Sequence, residues 1–219
     1  MQVVFLRALI GLLLILPILA WRGTLPVFRA TFGNPRLVVA LAGSALMIAI
    51  NWLTYVWAVN DNHVVAASLG YFLNPLVNVL LGVLVLKERL RRFQLLAIGL
   101  AAIGVAILAA SALTTLWISL TLAFSFAFYG LLRKLTPVAP MTGLGVETAL
   151  LAPLAIAYLI WEAGHGGIGF GQDLPTSALL ILSGGVTTVP LVLFATAAQA
   201  ARPALARGLP FVQSLHLRK

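Results

Sequence analysis

Two amides and a proline interrupt an apolar run in SLGYFLNPLVNVLLGVLVLKERLRR, Ser68 to Arg92, where Asn74, Pro75 and Asn78 lie near the middle. Asn74 and Asn78 are four residues apart, so on a helix both amides share a face with Gly70 and Gly82, and Tyr71 lies alongside. An amide donates and accepts but does not ionise, which suits it to positioning a group rather than breaking a bond. Pro75 removes one backbone donor and predicts a kink with an extra acceptor one turn earlier, near Tyr71. Two readings fit this face: hydrogen bonds that hold helices together, and contact with a solute.

The other residues able to do chemistry are few. Asn51, Thr54 and Tyr55 share a helical face, and Ser125 and Tyr129 are four apart. Thr187, Thr188 and Pro190 fall in GGVTTVP, a second apolar segment interrupted by Gly and Pro, with Pro190 a second expected kink. Arg7 and Glu147 are the ionisable residues set inside apolar segments. Each has two readings, snorkelling to the nearer interface or facing a cavity, and a cation in a cavity favours an anionic or carbonyl-bearing solute. The expected solute-lining set is Arg7, Asn51, Tyr71, Asn74, Asn78, Tyr129 and Thr188, with Glu147 as the candidate for ion coupling.

No enzyme pattern accompanies them. The chain contains no HExxH pair, no phosphate-binding loop and no cysteine, so neither a thiol nucleophile nor a thiolate metal site is available. His63, His165 and His216 lie in links or the tail rather than beside a serine inside a span, and Lys87, Lys134 and Lys219 all lie outside the spans. The residues call for no bound cofactor and no metal.

The elements that must position these residues are set by composition. Of 219 residues, 62% are hydrophobic and 9% charged, with a mean hydropathy of +1.08. Apolar blocks of about 20 residues recur, the length of a spanning helix, without the alternation of a membrane β-barrel. This is an integral membrane protein, all-α, whose first partner is the lipid bilayer. The formal charge of +9 sits in short links rather than along one polar face, which argues against nucleic acid.

Seven spans are predicted, approximately 3–21, 37–59, 64–86, 93–113, 115–132, 141–161 and 177–200. The links between them alternate in charge. Arg22, Arg29 and Arg36 follow the first span; Asn60 to His63 the second; Lys87 to Arg92 the third. The fourth link is uncharged, the fifth has Arg133 and Lys134, the sixth Glu162 and Asp173, and the tail Arg202 and Arg207. Basic residues accumulate on the cytoplasmic side, so the expectation is a multi-pass cell-membrane protein with the N-terminus outside and the C-terminus cytoplasmic. The link from Glu162 to Pro175 is Gly-rich and expected to be a mobile loop. Small residues at helical spacing, Ala97, Ala101 and Gly104 among them, favour close helix approach.

NWLTYVWAVNDNHVVAASLGYFLNPLVNVLLG (Asn51 to Gly82), LAFSFAFYGLLRK (Leu122 to Lys134) and GGVTTVPLVLFATAA (Gly184 to Ala198) together resemble the RarD-type permeases of the EamA family, drug/metabolite transporter superfamily. The resemblance covers roughly residues 3 to 200. It implies a ten-helix fold of two inverted five-helix halves, with a central route for a small metabolite or drug. On that pattern residues 1–113 are a first repeat lacking its first helix, and 114–200 are the first three helices of a second. Residues 201–219 are then a basic, non-spanning tail, as expected of a product truncated or frame-shifted from near Ala201. The expected function is a permease or exporter working by alternating access. The alternative is a non-transporting remnant or partner subunit whose polar stripes serve only packing, and a homodimer or another membrane partner fits either reading.

Overall fold

A computed structural model describes residues 2–85, 90, 92–110, 113–165 and 174–186. These residues form helices: α1 Gln2–Trp21, α2 Leu25–Phe32, α3 Pro35–Asn60, α4 Val64–Leu84, α5 Arg92–Ala110, α6 Leu116–Leu135, α7 Pro140–Gly164 and α8 Leu174–Val186. A helix satisfies its backbone bonds within itself, which a chain in hydrocarbon must do. Six segments are long and apolar enough to cross a membrane: α1, α3, α4, α5, α6 with the short 3-10 turn Leu113–Thr115 before it, and α7. They coincide with the first six predicted spans to within a few residues. The seventh begins at Leu174 and is described only as far as Val186; the rest of it lies outside the described residues.

Two links differ from expectation. The first contains α2, whose short amphipathic run of eight residues carries Pro26 in its first turn, where a missing donor costs no helical bond. The sixth is shorter than predicted, because α7 continues through Glu162 to Gly164.

Two helix ends close by the same hydrogen-bond pattern. After α1, Gly23 takes φ +67°, its N–H donates to the Ala20 carbonyl (3.0 Å) and that of Thr24 to Leu19 (2.9 Å). After α3, Asn62 takes φ +61°, with its own N–H on Val59 (3.3 Å) and that of His63 on Ala58 (2.7 Å). These are Schellman closures, in which a left-handed residue turns the chain and caps exposed carbonyls; glycine and asparagine are the residues that tolerate it.

The helices group into two compact units, residues 35–137 and residues 2–34 with the described part of 138 onward. In the first, α6 is the hub. Ala66 faces Ser119, Gly70 faces Leu122 and Asn78 approaches Gly130, a constant offset that makes α4 parallel to α6. Trp57 faces Trp117, Asn51 faces Ser125 and Gly43 faces Leu132, so α3 is antiparallel to it. Trp57 is half-buried between Trp117 and His63. Buried Ala66, Ala67 and Ala58 pack with Ile118 and Leu122, and Val77 and Leu81 with Ala123 and Ala127. α5 lies on α4 and buries none of its residues.

In the second unit α1 and α7 are antiparallel. Phe5 stacks on Tyr158 (4.2 Å between ring centres), and Ile15 and Leu19 pack with Met141 and Leu144, with Phe28 of α2 beside them. The buried stripe of α1, Val4, Ala8, Gly11, Ile15 and Leu19, follows helical spacing. Gly184 of α8 lies against Ile10.

Small residues control these approaches. A Cβ on Gly70 would stand 2.9 Å from the Leu122 Cβ and 3.2 Å from the Ser119 carbonyl oxygen, neither of which can swing away. Gly70→Ala is therefore expected to force α4 off α6 and cost about 1–3 kcal/mol, the usual penalty of overpacking. Thermal unfolding of the detergent-solubilised chain measures it, and an unchanged midpoint would contradict this packing.

Candidate functional site

The polar residues of the first unit gather at one height along α6. By the helix pairings above, Asn51, Tyr71, Asn74 and Asn78 fall opposite Leu122 to Gly130, a length of about 12 Å near the middle of α6 at the α-helical rise. Three helices contribute, and their environments separate them into two roles.

Asn51 is a clamp. It is 8% exposed, and its Nδ2 donates to the Leu122 carbonyl (2.9 Å) and to Ser125 Oγ (3.1 Å). Ser125 Oγ in turn donates to the same carbonyl (3.2 Å). Both amide hydrogens are thus spent on α6, and only the Asn51 oxygen is left over. Ser119, which donates to the Ala66 carbonyl at 2.6 Å, ties α4 to α6 in the same way. Sequence reasoning named Ser125 for its spacing to Tyr129 but could not pair it with Asn51, and Leu122 acts through its carbonyl, for which no side-chain signal exists.

Asn74 is different. Its Oδ1 is buried and has no hydrogen-bond partner. A sequestered acceptor left unmade costs about 1–3 kcal/mol, so its presence calls for a compensating donor. Tyr71, one turn earlier, is 55% exposed, and its ring meets Tyr55 of α3 edge to face at 5.7 Å. Asn78, one turn later, is exposed, with its Oδ1 3.9 Å from where a Gly130 Cβ would be. Tyr129 is half-buried and adjoins Phe126 on its own helix (6.3 Å). Gly70 and Gly82, expected to share the amide face, are buried while Asn78 is not, so α4 presents its glycines to protein and turns its amides progressively outward. α4 runs through Pro75 to Leu84 as one helix. The layer offers amide, phenol and ring surfaces, fit for hydrogen bonding and stacking with a small organic molecule and without a general base or nucleophile.

Arg7 and Glu147 belong to the second unit. The antiparallel register of α1 and α7 sets them about nine residues apart along the axis, about 14 Å, beyond an ion pair. Glu147 is 1% exposed, so the carboxylate does not snorkel. Arg7 is half-buried, with its Nε sequestered and without a hydrogen-bond partner. Thr188 and Pro190 lie outside the described residues.

The EamA-like transporter family model matches residues 1–110, half of the chain. The chain is 51% identical over 167 residues to an uncharacterized transporter of Pseudomonas aeruginosa, covering 76% of this chain and 56% of that protein. It is 47% identical over 173 residues to the protein RarD of Escherichia coli, covering 75% and 56%, and 46% identical over 171 residues to the protein RarD of Streptomyces exfoliatus, covering 78% and 54%. The chain thus aligns with a little over half the length of these relatives. No solved structure matches it. A multi-helix membrane chain that matches this family model and shares about half its aligned residues with RarD proteins belongs to the EamA-like transporter family, which is a family of transporters and not of enzymes.

Proposed function

We propose that the chain acts as a secondary permease or exporter that moves a small metabolite or drug across the cell membrane by alternating access, without a bound cofactor. The observation that carries this reading is the buried, unpartnered Oδ1 of Asn74 in a mid-span layer of amides and phenols. Tyr71, Asn74, Asn78 and Tyr129 position the solute, Asn51 adds its remaining oxygen, and Arg7 and Thr188 belong to the same function. Glu147, a carboxylate fully buried in a spanning helix, is the candidate for ion coupling. The seven predicted spans belong to a ten-helix inverted repeat, divided near residue 113. Repeat and packing unit need not coincide, since α6, assigned to the second repeat, packs on α3 and α4.

A second reading has its own support. Asn51 and Ser119 spend their donors on neighbouring helices, as expected where polar groups only hold a bundle together. Two substitutions separate the readings. Asn51→Leu removes both clamp bonds and is expected to destabilise the chain by about 1–2 kcal/mol. Asn74→Leu removes an acceptor that binds nothing in the fold, so the unfolding midpoint should stay or rise, while efflux of a metabolite mixture from proteoliposomes, read by mass spectrometry, falls about tenfold. Unchanged efflux would remove Asn74 from the route, and no efflux from the unsubstituted chain would favour the packing reading.

Orientation follows from the charge alternation, with the basic links cytoplasmic. The chain has no native cysteine, so single cysteines report cleanly. In intact cells Asp61→Cys should react with a membrane-impermeant maleimide and Lys134→Cys should react only after permeabilisation. The opposite labelling would invert the topology.

A further inference from the structure

Arg7 is the sole charged residue of α1, a twenty-residue apolar helix. An arginine so placed either snorkels, pairs with a carboxylate, or awaits an anion. Its Nε is sequestered without an acceptor, so one guanidinium donor is unmet inside the fold although the residue as a whole is half-buried. Pairing fails on geometry. Glu147 is about 14 Å away along the axis. Glu162, the other described carboxylate of this unit, lies beside Tyr158, whose ring stacks on Phe5. At 100° per residue Phe5 and Arg7 lie on opposite flanks of the stripe Val4, Ala8 and Gly11, so Glu162 is on the wrong side of α1. Arg7 instead shares its flank with Ile10, one turn on, which meets Gly184 of α8.

We propose that Arg7 is an anion-recognition residue, and that the transported solute carries a carboxylate, phosphate or sulfonate group that accepts from its guanidinium. This rests on the transport reading and narrows its substrate class to organic anions. The guanidinium fork matches two oxygens of such a group, and in a site of low dielectric the charge-assisted bonds replace the missing acceptor. An anionic lipid headgroup has the same chemistry; the solute is the assignment because the sequestered donor is Nε, set back along the side chain inside a spanning helix.

The test loads proteoliposomes of the full chain with an equimolar mixture of small acids, amides, amines and neutral solutes and follows efflux by mass spectrometry. The acids are expected to leave fastest; Arg7→Met should erase that preference by about tenfold, and Arg7→Lys should keep part of it. Arg7→Met should also unfold at the same or a higher temperature, since it removes an unpaired donor, whereas a structural arginine would lower the midpoint. Efflux confined to neutral or cationic solutes overturns the proposal while leaving transport intact. If nothing leaves, the transport reading has failed, and thermal stabilisation of the solubilised chain by sodium phosphate or acetate over chloride at matched ionic strength decides the rest. Anion-dependent stabilisation lost in Arg7→Met upholds recognition by Arg7. Its absence, or stabilisation by phosphatidylglycerol alone, overturns the assignment.

Discussion

The near-contact of Gly70 with Leu122 and the Ser119 carbonyl sets the geometry of the first unit. In lipid there is little hydrophobic gain from bringing two helices together, so association depends on close van der Waals approach and on interhelical hydrogen bonds. A residue without a Cβ is what allows α4 to come so near α6, and Ser119 reaches the Ala66 carbonyl only because of that approach. The same contact fixes the parallel register of α4 and α6. Asn51, anchored from the other side to Leu122 and Ser125, fixes the antiparallel register of α3. The height at which Tyr71, Asn74 and Asn78 face their surroundings is therefore a consequence of one glycine and one asparagine elsewhere in the bundle.

This arrangement divides polar residues of similar appearance into two kinds. Asn51 and Asn74 are both amides in the interior of apolar helices. Asn51 meets a backbone carbonyl and a hydroxyl, and its donors are consumed in the fold. Asn74 lies between buried Gly70 and Val77 on α4 and presents a sequestered oxygen with no donor. A membrane protein that needed both amides for packing alone would be expected to satisfy both, because an unmade bond in hydrocarbon costs more than it does at an aqueous surface. The second unit repeats this imbalance in charged form: Glu147 is engaged and buried, while the Arg7 Nε has no acceptor.

Much of the fold was legible in residue order. Apolar blocks of the right length, punctuated by Arg and Lys in every second link, located six long helices to within a few residues, because helix length in a bilayer is dictated by its thickness. The link residues were harder. The short α2 was missed because eight residues with a proline give little periodicity, and the end of α7 was set too early because Glu162 reads as loop in a Gly-rich stretch. The left-handed turn at Asn62 was legible only as punctuation; its hydrogen bonds to Ala58 and Val59 emerge once α3 ends there.

The sequence by itself determined the class of the protein, the number and length of its described spans, and which residues could offer hydrogen bonds inside a bilayer, since each of these depends on local composition against a fixed thickness of hydrocarbon. It also carried the motifs that resemble RarD-type permeases. Only the tertiary structure decided which amide is clamped and which is left with an open acceptor, that α6 is the hub of one unit, and that Arg7 and Glu147 stand too far apart to pair. Those facts depend on the rotation and register of one helix against another, and registers are set by contacts between residues far apart in the chain, such as Gly70 with Leu122, which no local pattern encodes.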